Sequence, residues 1–281
     1  MARRPTEARR KDISGGNTMS ITSAMFTGVS GLKNNGEAMN VIGNNISNVN
    51  TTGFKGARTL FSDMLSSKIA DDSQVGRGCQ IQKVDNVFSQ GSLETTELVT
   101  DLAIQGDTFF TVINPSTSEK FYTRAGAFHT DNSGYLLNPD GYRVGDSTAA
   151  SAAIQLTNCS KIISIDTQGT IKYLNTSGAT TTATQKVGLA YVPIPGELEK
   201  VGGTLYKADT AKTGTIVYGA AGTAGGQFAS EKVLSNSLEQ SNIDLATQFV
   251  NMIITQRAYS ANAKTITTTD EMTQEVINMK R

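Results

Sequence analysis

Met25-Phe-Thr-Gly-Val-Ser-Gly-Leu-Lys-Asn-Asn-Gly-Glu-Ala-Met-Asn-Val-Ile-Gly-Asn-Asn-Ile-Ser-Asn-Val49 is the stretch on which the fold turns. Within it Met25, Val29, Leu32, Gly36, Met39, Gly43 and Ile46 step by four and three in alternation. That is the a/d spacing of a helical seam about three heptads long, and the two glycines in it permit close approach of a neighbour. Phe26, Ile42 and Val49 widen the stripe, while Asn34, Asn35, Glu37 and Asn40 keep the flank polar.

The other end of the chain answers it. Leu245, Met252, Tyr259 and Ile266 recur every seven residues, with Phe249, Ala263 and Ile277 four further on and interruptions at Gln256 and Asp270. Neither Gly nor Pro occurs in 231–281, the absence that a long helix needs. Ser241-Asn-Ile-Asp244 has the spacing of a capping box ahead of the run. A helix over 244–279 would be about 54 Å long at ~1.5 Å per residue. Two stripes this long and narrow predict terminal helices paired with each other and with neighbouring chains.

Between them the period changes to two. Phe109-Phe110, Val112-Ile113, Phe121-Tyr122 and Phe128 read as strands, with turns at Asp131-Asn-Ser-Gly134 and Asn138-Pro-Asp-Gly141. Ile162–Ile165 and Ile171–Tyr173 flank Asp166-Thr-Gln-Gly169 as a hairpin. Val187, Leu189 and Tyr191 alternate with Lys186, Gly188 and Ala190. Small polar stretches at 145–153, 176–185 and 219–226 read as loops. The fold class expected is α+β: N- and C-terminal α-helices paired as a coiled-coil-like rod, with a central β-rich domain. The divisions expected are 1–18 as an extension outside the fold, with Met19 as the natural first residue; 19–65 as the first helix and an Asn-rich corner; 66–99 as an extended linker; 100–230 as the β-rich domain; and 231–281 as the last helix.

Composition narrows the function. The chain has 281 residues, 38% hydrophobic, 6% aromatic and without Trp, which describes a modest core with much polar surface. Residues 1–18 carry five basic residues against two acids, so the remainder is mildly acidic and offers no basic face for nucleic acid. No apolar h-region follows the basic leader, and no run approaches the ~20 apolar residues of a membrane span, so no membrane insertion is expected. A single histidine, His129, rules out a His-rich metal centre within one chain. Cys79 and Cys159 lie 80 residues apart and form no CxxC pair. Asp131–Gly134 lacks the later acids of a calcium loop, and His129 has no nucleophile motif beside it. Four Asn-x-Ser/Thr matches, at Asn45, Asn50, Asn158 and Asn175, are what an Asn- and Ser-rich chain contains by chance. No nucleophile, base and metal gather in one motif, and no cofactor is implied; the expectation is not an enzyme. A globular binding module with supporting helices is the other class, and it would show ordered termini in a compact monomer.

The densest stretch is Val41-Ile-Gly-Asn-Asn-Ile-Ser-Asn-Val-Asn-Thr-Thr-Gly-Phe-Lys55. Asn44, Asn45, Asn48 and Asn50 crowd amides that both donate and accept, so they can close a helix end and cross-link backbones. Gly53 allows a positive φ and Phe54 offers an apolar anchor. A polar loop after a helix and a recognition corner where subunits meet both fit this composition. In the second reading Asn44, Asn45 and Asn48 fix the exit of the first helix, partly across subunits.

This stretch, with Gly28-Val-Ser-Gly-Leu32 before it, resembles the N-terminal signature of the bacterial flagellar rod and hook axial proteins. Ser241-Asn-Ile-Asp-Leu245 with Val250-Asn-Met-Ile-Ile-Thr-Gln-Arg-Ala-Tyr259 resembles their C-terminal signature. Asp101-Leu-Ala-Ile-Gln-Gly106 with Phe109-Phe110, and Phe121-Tyr-Thr-Arg-Ala-Gly126, resemble two more of their motifs, in the family's order. Phe26–Leu32, Gln74-Val-Gly-Arg-Gly78 and Glu275–Arg281 look most like hook proteins, yet the middle lacks room for the outer domain many of those carry. The length suits a short hook protein or the distal rod protein. The resemblance implies a structural subunit whose terminal helices line a helical tube, with the β-domain outside. As a hook it would couple rod to filament and transmit torque. It implies export through the flagellar type III apparatus, and neighbours among rod, hook-cap and hook–filament junction proteins. The interface residues expected are Met25, Val29, Leu32, Met39, Asn44, Asn45, Ile46, Asn48, Phe54, Leu245, Phe249, Met252, Tyr259 and Ile266.

Overall fold

The computed structural model describes residues 20–64, 67–70, 73–147, 152–223 and 226–279; the extension at 1–18 lies outside them. The chain is α+β, with a long helix at each end and strands between: α1 is Ser20–Ser47 and, after a one-turn helix α2 at Thr210–Thr213, α3 is Leu245–Met279. It divides into two compact units. One holds the described parts of 1–40, 59–84 and 250–281, the other 41–58 and 85–249.

In the first unit α1 and α3 pack at two glycines. A Cβ on Gly28 would lie 3.0 Å from Ile266 Cγ1, and one on Gly31 would lie 2.6 Å from Asn262 Nδ2. A side chain at either position would have to push Ile266 or Asn262 aside. Strand Cys79–Asn86, paired with Ala57–Asp63, is held to α1 by Asn34, whose Nδ2 donates to Cys79 O at 2.6 Å. Segment 66–99 runs through strands Ser67–Ala70, Ser73–Val75, Cys79–Asn86 and Leu93–Thr95, each paired with another strand. In α3 the threonines, β-branched and poor helix formers, return their hydroxyls to the preceding turn: Thr255 Oγ1 donates to Asn251 O and Thr269 Oγ1 to Thr265 O.

The second unit is built on a nine-stranded sheet. Its path runs Glu199–Gly202, Leu205–Lys207, Lys120–Thr123, Phe109–Ile113, Arg143–Val144, Leu136–Leu137, His129–Thr130. Leu189–Tyr191 also pairs with Phe109–Ile113, and Val217–Gly219 with Leu189–Tyr191. Strand Phe109–Ile113, apolar except for Thr111, is buried along its whole length, as a strand covered on both faces must be. Phe110, Val112, Phe128 and Leu136 fill one core, with Phe110 edge-on to Phe128 at 5.2 Å; Phe109, Tyr122, Val192 and Tyr206 fill the other. The hairpin at 162–173 is extended by a third strand, Thr180–Lys186, so the loop expected over 176–185 is corrected there. Its threonines, alternately exposed and half-buried along the strand, suit an edge, where β-branching outweighs low hydrophobicity.

Candidate assembly interface

The apolar seam of α1 and the face it buries within the chain are different faces. Gly28, Gly31, Asn34, Ala38 and Asn45 are buried, stepping by threes, fours and seven. Val29 is 50% exposed and its neighbour Phe26 is 73% exposed; Met25, Leu32, Met39 and Ile46 are half-buried. Close approach within the chain is made at Gly28 and Gly31, whereas a Cβ on Gly36 or Gly43 would meet, among the described residues and beyond its own turn of helix, no heavy atom within 4 Å. The seam is thus left open beside the intrachain contact. Phe26, Val29 and Met64 line one concave side of it, with Ser30, Lys33 and Arg77.

On α3 the inward face carries Met252, Thr255, Asn262, Ile266 and Thr269. The expected interface residues Met252 and Ile266 therefore turn partly inward. Leu245, Phe249 and Tyr259 are exposed, together with Val250, Ile253, Ile254, Met272, Val276 and Ile277. The helix starts one residue after Asp244, which is its N-cap: Asp244 Oδ1 accepts from Ala246 N and Oδ2 from Thr247 Oγ1. These bonds hold its carboxyl below the ordinary aspartate range. Ser241, read as the first residue of a capping box, is instead buried, its hydroxyl without a partner among the described residues.

The corner after α1 is built from amides, each with its own task. Asn45 is 3% exposed; its Nδ2 donates to Ala57 O at 2.7 Å and to Gln248 Oε1 at 3.2 Å, and its Oδ1 accepts from Ala57 N at 3.0 Å. It thereby ties the root of α1 to the first strand and to the root of α3. Asn48 Nδ2 donates to Asn44 O and Oδ1 at the exposed helix end. Of the three amides expected to fix the exit of α1, Asn45 does so with partners in its own chain. Gly53, at φ +68°, donates its N–H to Glu239 O at 2.7 Å, and a Cβ there would lie 2.3 Å from Ala125 N. Phe54 is likewise buried in its own chain, under Lys200 Nζ at 4.9 Å from its ring centre. A cavity of about 440 Å³ opens beside the corner, lined by Asn44, Asn48, Thr51, Phe54 and Tyr206 among others.

Beneath the corner lies a cluster that sequence reading missed. Lys55 Nζ donates to Glu239 Oε1 at 2.6 Å and to Ser89 O at 2.8 Å. Arg124 donates from Nη1 to Glu239 Oε2 at 3.2 Å and from Nη2 to Gly106 O at 2.7 Å. Gly91 N completes the carboxylate's partners at 2.8 Å. All three side chains are within 1% of full burial. Burial pushes the Lys55 ammonium below its ordinary range, against the opposing pull of Glu239. Each charge sits inside one of the motifs already quoted or just before one; only their convergence was hidden.

Comparison with known proteins matches three segments of the chain. Residues 25–55 match the family model described as flagella basal body rod protein, 103–173 that of the flagellar hook protein FlgE/F/G D1 domain, and 234–279 that of the flagellar basal body rod FlgEFG protein C-terminal. The flagellar basal-body rod protein FlgG of Bacillus subtilis is 35% identical over 270 residues, covering 92% of this chain and 99% of that one. The protein of the same name from Borreliella burgdorferi is 31% identical over 276 residues, covering 92% and 98%. The flagellar hook protein FlgE of Treponema pallidum is 44% identical over 134 residues, which is 43% of this chain and 28% of that one. Lys55, Arg124 and Glu239 fall one in each of the three matched segments.

Proposed function

The chain belongs to the bacterial flagellar rod and hook axial proteins, structural components of the flagellum, and from that premise we propose that it is a hook subunit that polymerises into a helical tube. The observation that carries the polymer is the open seam. Apolar side chains on α1 and α3, Phe26, Val29, Phe249, Ile253 and Ile254 among them, have at least half their surface exposed, and a chain leaves so much apolar helix exposed when another surface covers it. In this reading α1 and α3 pair as a coiled-coil-like unit through Gly28 and Gly31, and neighbouring copies dock on the remaining faces. Rod proteins, the hook cap, the junction proteins and the export apparatus are its other partners.

The hook assignment is supported by the higher identity to a hook protein, 44% against 35% and 31% for the rod proteins, and by the hook-like Gln74–Gly78. The distal rod is the second reading, favoured by the length: the rod proteins are spanned from end to end, the hook protein over 28% of its length. A deletion strain decides between them. Basal bodies with complete rods and no hooks support the hook; basal bodies whose rods stop short support the rod.

A further inference from the structure

The buried charges under the corner are not used by any contact on the exposed seam, yet their placement has a logic of its own. Lys55 follows the Asn-rich corner, Arg124 directly follows a strand of the central sheet, and Glu239 stands five residues before the cap of α3. Lys55 and Glu239 are 184 residues apart in the chain, Arg124 and Glu239 115 apart. Ser89 O, Gly91 N and Gly106 O add two further segments to the same cluster. The cluster is joined directly to both helix roots. One residue after Lys55, Gly56 N donates to Asn242 Oδ1 at 2.9 Å, and beside it Asn45 reaches both Ala57 and Gln248.

We propose that Lys55, Arg124 and Glu239 form a coincidence latch, which seats the roots of α1 and α3 only when the β-rich unit is complete. The physical basis is the penalty on partial formation. Any arrangement with one partner missing leaves a desolvated charge uncompensated, which is far costlier than having all three paired or none buried. Two cations share one carboxylate, and the excess is met by the carbonyls of Ser89 and Gly106 and by the Phe109 ring, 5.1 Å from the Arg124 guanidinium carbon. Those carbonyls belong to segments that must also have arrived. An apolar cluster of equal volume would tolerate stepwise formation; this one does not. Its consequence rests on the reading that copies join through the terminal helices: a subunit with an unfinished β-rich unit does not present seated helices to a growing polymer.

The test is native-state hydrogen exchange on the full-length monomer at low, increasing denaturant. In the wild type the amides of 44–48 and 248–250, with those of Gly53 and Gly91, should open with the same denaturant dependence as Phe109–Ile113. In Lys55→Met/Arg124→Met/Glu239→Leu the roots should open with a lower denaturant dependence than Phe109–Ile113, which keep their protection. Roots that already open independently in the wild type overturn the latch, and so does a triple variant in which roots and core still open together. If the triple variant does not fold, the wild-type measurement decides alone. Sedimentation of the wild type at rising concentration tests the assembly reading separately, since exchange on the monomer does not depend on it.

Discussion

Asn45 and Ala57 exchange two hydrogen bonds, side-chain amide to backbone, as two residues facing each other across a β-ladder do. A carboxamide on a helix thus stands in for a strand, and it holds the chain's reversal at the foot of α1. Asn45→Ala would remove both of these bonds from half-buried Ala57, at about 1–3 kcal/mol. The monomer's melting temperature should drop by several degrees. Asn48→Ala, at the exposed helix end, should stay within about 0.5 kcal/mol of the wild type. Thermal unfolding of both variants beside the wild type checks the contrast; equal losses would mean that the corner does not depend on Asn45.

The glycines of α1 divide into two kinds. Gly31→Val forces a side chain onto Asn262 and should loosen the helix pair, seen as faster exchange in 24–40 and 255–270. Gly36→Ala meets open space and removes backbone freedom from the unfolded chain, so it should stabilise the monomer by about 0.4–1 kcal/mol. If the seam takes a neighbour at Gly36, the same variant should raise the critical concentration for polymerisation.

Val29→Asp and Phe249→Asp each place a charge on a side chain that is half exposed in the subunit. Circular dichroism and melting of the monomer should be unchanged within about 0.5 kcal/mol. Polymerisation followed by sedimentation should be abolished, because the charge would be desolvated at every repeat. Met252→Asp differs: its residue turns partly inward, so loss of assembly there should come with loss of stability.

Alkaline pH should weaken the β-rich unit. Burial raises the hydroxyls of Tyr122 and Tyr206 far above their ordinary value near 10, and the Tyr122 hydroxyl is also paired with that of Tyr218 at 2.6 Å. The folded state holds these protons where the unfolded chain releases them, so stability is intact below pH 10 and falls above it. The slope is about 1.4 kcal/mol per pH unit for each tyrosine. Lys55, lowered by burial, works the other way and adds stability as pH rises toward 10.5. Denaturant midpoints between pH 8 and 12 measure the slope, and Tyr122→Phe should reduce it; a variant with the wild-type slope would assign the loss elsewhere.

The helices were legible because their signals are local and repeated. The four-three steps from Met25 to Ile46 and the sevenfold recurrence from Leu245 lie within single elements. What periodicity does not reveal is which face of an amphipathic helix stays within its own chain. Here small residues, Gly28, Gly31 and Ala38, take the inside because they allow backbones to close, and the larger apolar residues are left half-buried or, at Phe26 and Val29, exposed. Asp244 was hidden by a competing pattern, since both it and Ser241 are good caps and only the chain's path decides. The threonines at 180–186 read as loop because their strand propensity depends on a neighbouring strand. Lys55, Arg124 and Glu239 were out of reach for another reason: nothing in one charged residue indicates a partner more than a hundred positions away.

The exposed apolar faces of α1 and α3 also fix a temperature response. Water released from apolar surface drives association mainly through entropy near room temperature, with a large negative heat-capacity change. That drive fades on cooling. If copies join through Val29, Phe249, Ile253 and Ile254 as proposed, the tube should be cold-labile, loosening on cooling and re-forming on warming.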